Sequence, residues 1–302
     1  MPGSLSVAFL GTIVAVLGSP SPVLPAPVVV FVSVPPQASL VRDIGGPHVV
    51  VHCLVEAGQD PHVFEPTPKQ MLALAHAKVF FGVGIPFERP LLNKIHVHLP
   101  DLRIVDSSRG FTRRPAGVGT HKHEDHRRDP HHVHGSDESE LDPHIWLSPE
   151  GLRIMARNMA DSLGQVDPAH AADFRRRLKT VHESIDKADA RVRAKLATYR
   201  GQTVYVFHPA FGYYCEAYGL KQKAVEVDDK PPTSRRLREL IRQAKKDRAR
   251  TVFVQAQFDQ QGAKVVAEAI GGRIAVVDPL AEDVIANLER IADAIVAGLG
   301  KK

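Results

Sequence analysis

Cysteine is nearly absent from this 302-residue chain, which has only Cys53 and Cys215. Two distant thiols make no disulfide framework, and neither has a second cysteine at the short spacing of a thiolate zinc site. Each stands among apolar residues: Val51, Leu54 and Val55 for the first, Tyr213 and Tyr214 for the second. Buried free thiols are therefore expected, with a single bridge between the two as the alternative. Charge of one sign is not concentrated either. The net charge is +5, and Arg127–Arg128, Arg175–Arg177, Arg235–Arg236 and Lys245–Lys246 are short clusters. None is a basic stripe interleaved with aromatics, so nucleic acid is not an expected partner and solvated helix faces are. Beyond residue 26 no apolar run approaches the roughly 20 residues of a membrane-crossing helix. The mature chain is thus expected to be soluble, without a membrane span.

The remaining composition is that of an ordinary globular protein, 43% apolar and 24% charged. Residues 1–26 read as an export signal. Val7 to Leu17 is an uncharged apolar run too short to span a bilayer, a Ser/Pro stretch follows, and Ala26 could precede a cleavage point. The segment lacks the usual basic start and has no nearby cysteine for lipidation. A periplasmic or extracellular location is expected.

After the leader, short β-rich runs alternate with helical patterns. Strands are predicted at Val28–Ser33, His48–Val55, Val79–Val83 and Arg103–Asp106, then at Thr203–Phe207, Lys221–Val227, Thr251–Gln255 and Arg273–Val277. Between the two sets, Ser148 caps a helix with Pro149 at its first position. A second helix follows Asp167–Pro168 and reaches about Tyr199. Phe174, Leu178, Val181, Ile185, Ala188, Val192 and Leu196 give it one apolar stripe at spacings of three and four. About 30 residues at 1.5 Å each make a rod of roughly 45 Å, long enough to bridge two lobes. Strand–helix alternation implies parallel sheets covered by helices. The predicted fold is α/β, with two parallel-sheet lobes joined by a long rigid helix. The boundaries are a signal at 1–26, an N-terminal lobe at 27–147, a helical segment at 148–200 and a C-terminal lobe at 201–302. Residues 110–141 are polar and nearly without apolar side chains, so they read as a loop within the first lobe.

Histidine is over-represented, with 16 residues, six of them between His121 and His134. In open α/β sheets, ligands bind outside the carboxyl ends of the strands. His62 lies in the loop after the second strand, and His144 just before the helix cap at Ser148. His208 follows the fifth predicted strand, and Asp278 the last. Three imidazoles and a carboxylate form a plausible tetrahedral zinc set. Lone histidines such as His76, His170 and His182 read as ordinary surface residues.

Four segments carry a family resemblance. They are Gly58-Gln-Asp-Pro-His-Val-Phe-Glu-Pro-Thr-Pro68, Asp142-Pro-His-Ile-Trp-Leu-Ser-Pro-Glu150, Phe207-His-Pro-Ala-Phe-Gly-Tyr-Tyr214 with Gly219-Leu220, and Val276-Val-Asp-Pro-Leu280. In this order they resemble zinc/manganese substrate-binding proteins of ABC transporters, the ZnuA-like group of cluster A-I. The resemblance runs from Val28 to the C-terminal helix; Phe81–Glu88 is only loosely similar. It implies a carrier, not an enzyme, that delivers Zn2+ to the ABC permease of a metal importer, and a monomer. It places His62, His144 and His208 as ligands, with Asp278 as the fourth. Water or Glu65 are the alternatives to Asp278. The third histidine favours Zn2+ over Mn2+. A His-rich loop before the second ligand is usual in zinc members, so His121, His123, His126, His131, His132 and His134 are expected to bind zinc weakly.

His121-Lys-His-Glu-Asp-His126 also spells HxHxDH, the metal-binding pattern of metallo-β-lactamase-fold hydrolases. Such a motif should follow a buried strand that holds its ligands rigid. Here Arg113-Arg-Pro-Ala-Gly-Val-Gly-Thr120 precedes it. A zinc hydrolase, and a zinc storage or adhesion protein, are the rival readings.

Overall fold

The computed structural model describes residues 26–116, 141–226, 233–257 and 261–300. The leader up to Pro25 and the histidines from His121 to His134 lie outside the described residues. Two four-stranded sheets form the frame. The first holds β1 (Val28–Val32), β2 (Val49–Cys53), β3 (Val79–Gly82) and β4 (Arg103–Asp106), in the order β2-β1-β3-β4. The second holds β5 (Thr203–Val206), β6 (Lys221–Ala224), β7 (Thr251–Val254) and β8 (Arg273–Val276), in the order β6-β5-β7-β8. Every pairing is parallel. The two orders are the same permutation, so the lobes repeat one topology. All four residues of β3 and of β7 are buried, as inner strands of a sheet covered on both faces should be. Edge strand β2 alternates between exposed and half-buried residues.

The covering helices are α1 (Pro35–Gly45), α2 (Pro68–Leu74), α3 (Glu88–His98), α4 (Pro149–Val166), α5 (Ala171–Leu196), α6 (Gly212–Ala217), α7 (Ser234–Lys246), α8 (Gln261–Ala269) and α9 (Val284–Leu299). The predicted long rod is α5, whose 26 residues are flanked by single 3-10 turns at Pro168–His170 and Ala197–Tyr199. It buries Phe174, Val181, Ile185, Ala188, Val192 and Leu196. It packs on α1 of the first lobe, on the neighbouring α4 and on α9 of the second lobe. One continuous apolar core accordingly runs from β1 through α4 and α5 into α6 and α9. A smaller cluster, including Tyr205, Val225, Leu240 and Val254, packs between the second sheet and α7–α8. Because the lobes share a core along α5, wide hinge motion would expose packed apolar surface, at about 25 cal/mol per Å2. No described helix is long and apolar enough to cross a membrane.

Both thiols are free. Burial pushes each up to about 12, and Cys215 is 2% exposed. Alkylation needs the thiolate, so neither should react readily with iodoacetamide at pH 8. Because Cys53 borders a surface groove, it should react before Cys215 as pH rises towards 12. Rapid labelling of Cys215 at pH 8 in the folded protein would contradict this packing.

Candidate metal centre

The loops that leave the carboxyl ends of both sheets carry the predicted ligands. Three of these loops use the same local device. In Asp60-Pro61-His62, Asp60 Oδ1 accepts the His62 N–H at 2.8 Å. In Asp142-Pro143-His144, Asp142 Oδ1 accepts the His144 N–H at 3.0 Å. In Asp278-Pro279-Leu280, Asp278 Oδ1 accepts the Leu280 N–H at 2.9 Å. An aspartate bonded two residues ahead, around a proline of fixed φ, makes a stiff turn. The His62 loop is held at its far end as well. Thr67 and Gln70 form a reciprocal cap at the start of α2, and Gln70 Nε2 donates to the Leu54 carbonyl at 2.8 Å. After His144, Ser148 caps α4 by accepting the Gly151 N–H at 3.1 Å.

His62, His144 and His208 come together from these separate loops. One ligand atom from each lies within 4.8 Å of the other two. Ring centroids are 4.6 Å apart for His62–His208, 5.3 Å for His144–His208 and 6.2 Å for His62–His144. His144 and His208 are buried, and His62 is half-buried. Zinc–imidazole bonds of about 2.0–2.1 Å in a tetrahedron put ligand nitrogens about 3.3 Å apart. The triad therefore needs only a small contraction to grip an ion. An imidazole set suits zinc and other borderline metals, and is wrong for calcium or magnesium.

Two rings are already oriented by carboxylates. His144 Nδ1 meets Asp142 Oδ1 at 2.8 Å, and His208 Nδ1 meets Glu226 Oε2 at 2.9 Å. A carboxylate that accepts a hydrogen bond from Nδ1–H fixes the tautomer in which Nε2 is the ligand, and raises its basicity. The His208 backbone is gripped by Gln255, whose Oε1 accepts the N–H at 3.3 Å while its Nε2 donates to the carbonyl at 3.1 Å. Behind His144 stands Trp146, with ring centroids 5.2 Å apart. Its Nε1–H donates to the Pro279 carbonyl at 2.8 Å and so ties the first lobe to the loop after β8.

Asp278 is not part of the three-histidine group. Its Oδ1 is taken up by Gln257 Nε2 at 2.8 Å and by the Leu280 N–H. Glu65 is exposed and also outside the group. Sequence reasoning missed Asp142, Glu226, Gln255 and Gln257. The doubled Asp-Pro-His tripeptide was a signal for Asp142, and the position just after β6 was one for Glu226. Nothing local marked the two glutamines.

The model of the family described as periplasmic zinc-uptake complex component A matches residues 30–298. The chain belongs to this family. Its members are solute-binding components of ABC-type zinc uptake systems; they are exported, and they work with a permease and an ATPase. The chain is similar to the high-affinity zinc uptake system protein ZnuA of Brucella abortus, at 28% identity over 282 residues, which cover 83% of each protein. It is also similar to the zinc-binding protein AdcA of Streptococcus pyogenes serotype M3, at 28% identity over 253 residues, 81% of this chain. It spans about half the length of AdcA, 49%. A crystal structure of ZnuA matches with a TM-score of 0.82 and 30% identity, over 91% of this chain and 100% of that one. The α/β architecture of two parallel-sheet lobes on a long helix is thus the family's own.

Proposed function

We propose that this chain captures Zn2+ outside the cytoplasm and hands it to the permease of an ABC importer, acting as a monomeric carrier and not as an enzyme. The observation that carries the reading is the meeting of His62, His144 and His208, with carboxylates already oriented on two of the rings. Family membership supports zinc as the cargo, and the third imidazole is the reason Mn2+ is disfavoured. Asp278 is the proposed fourth ligand. With Oδ1 pinned by Gln257 and Leu280, its carboxylate is held in one orientation, and its other oxygen is the coordinating atom. Water or Glu65 would fill the position if Asp278 stayed back. A shell closed by four protein ligands leaves no open position for a substrate, which is the chemical reason for a carrier.

Capture draws on both lobes, since His62 and His144 come from the first half and His208 and Asp278 from the second. With α5 packed against both, closure is a matter of loop adjustment. The histidines at 121, 123, 126, 131, 132 and 134 are proposed to bind zinc weakly and to feed the tight site. The HxHxDH hydrolase reading has no support from the family, and a storage or adhesion role would not need a built three-histidine centre.

Protonated imidazole cannot coordinate, so zinc affinity must fall with acid. Dialysis of the metal-free protein against zinc should show one tightly held equivalent at pH 7.5. That equivalent should be held much more weakly at pH 5, because protons compete with the ion for the same ring nitrogens. Undiminished affinity at pH 5 would rule out a histidine-built site.

A further inference from the structure

Arg114, near the start of the connection that ends in His144, reaches the cradle of that ligand. Its Nε lies 3.3 Å from Asp142 Oδ2, while Asp142 Oδ1 holds both the ring Nδ1 and the backbone N–H of His144. The Asp142 side chain is 4% exposed, so its carboxylate needs this partner. The second lobe holds Arg114 in place. Tyr213, in α6, lies beneath the guanidinium, 5.4 Å from ring centroid to Cζ. The Tyr213 hydroxyl accepts the Arg114 N–H at 2.9 Å and donates to the Asp142 carbonyl at 3.0 Å. The Arg114 carbonyl accepts the Asp142 N–H at 2.9 Å. Gly212 completes the seat, because a Cβ there would overlap the Arg114 guanidinium. Gly212 lies within the helix and has no unusual backbone angle, so the space it leaves is its contribution.

We propose that Arg114 is a positioning residue for the metal centre: seated on Gly212 and Tyr213 of the second lobe, it fixes the Asp142 carboxylate and through it the ring of His144. This rests on the zinc-carrier reading above. The arrangement makes the aim of a first-lobe ligand depend on correct apposition of the second lobe. A fixed ring tautomer would then be available only where both lobes are in register, which suits a site that must be assembled and released.

The test uses five variants of the full mature chain: Arg114→Met, Arg114→Lys, Gly212→Ala, the Arg114→Met/Gly212→Ala double variant, and His144→Ala as the reference. Zinc affinity is read by competition with a chelator, and geometry by the visible d–d spectrum of the cobalt-loaded protein. Loss of an outer partner of a metal ligand costs about 10–100-fold in affinity. Arg114→Met is expected to fall in that range and to change the cobalt spectrum. Gly212→Ala is expected to weaken zinc binding in the parent, because it unseats the guanidinium, and to add nothing in the Arg114→Met background. Arg114→Lys should recover part of the loss. Should Arg114→Met fail to fold, Gly212→Ala with its cobalt spectrum carries the test alone. Full affinity and an unchanged spectrum in Arg114→Met, with binding lost in His144→Ala, would overturn the proposal and leave the carrier reading standing. Additive losses would overturn it too, since the two residues would then act separately. Tight binding retained in His144→Ala would bring down the carrier reading itself.

Discussion

His208→Ala is expected to weaken zinc binding by more than about 100-fold, beyond the loss that follows from removing an outer partner alone. His208 is the most buried of the three rings, 2% exposed. It is also the most heavily prepared, with Glu226 on Nδ1 and Gln255 on both backbone polar groups. Ligands held in place before the ion arrives contribute most, because little ordering remains to be done on binding. The variant should keep its fold, since the Gln255 clamp acts on the main chain and survives the substitution. Glu226→Gln should fall between the two, at about 10–100-fold, because the amide keeps an acceptor for Nδ1–H but loses the charge. Chelator competition on the metal-free proteins reads all three. Parent-like affinity in His208→Ala, with an intact fold, would remove His208 from the ligand set.

Trp146→Ala should give the largest loss of stability of any single substitution considered. The indole is 1% exposed and sits in the core shared by both lobes. Truncating a buried aromatic to alanine costs about 3–5 kcal/mol through lost burial and the cavity left behind. The Pro279 carbonyl also loses its donor, and an unsatisfied buried acceptor costs about 1–3 kcal/mol when it cannot reach water. The two are not simply additive, so about 4 kcal/mol is expected in urea unfolding. Trp146→Phe keeps most of the packing but not the bond, and should recover more than half. Zinc affinity should drop as well, because the indole backs the ring of His144 and ties its loop to the one that carries Asp278. A change below about 1 kcal/mol would mean that the lobes are not joined through this core.

Much of this architecture was legible in the sequence. The inner strands Val79–Gly82 and Thr251–Val254 read as continuous apolar runs because parallel sheets bury both faces. The stripe of α5 was visible for the same reason of periodicity. Predicted ends ran long: the second strand was expected over His48–Val55 and occupies Val49–Cys53. Apolar character continues past the last ladder bond there, since Leu54 and Val55 turn into the core. The three histidines were found at strand ends and in motifs, but their convergence depends on how two sheets face each other, which no local pattern encodes. Asp278 shows the limit from the other side. Its place after β8 was legible, whereas the bonds from Gln257 and Leu280 that hold its carboxylate are long-range and turn-specific. Arg114 was invisible for the same reason, being 28 residues before Asp142 and 98 before Gly212 in sequence, yet in contact with both.

The central claim is that tight zinc binding belongs to His62, His144 and His208 and not to the histidines between 121 and 134. It is tested most directly by titrating zinc, against a competing chelator, into the metal-free protein with residues 121–134 deleted. The account predicts that one tight equivalent survives with parent-like affinity while weaker sites disappear. Loss of the tight equivalent on deletion would contradict it and move the site to the His121–His134 segment.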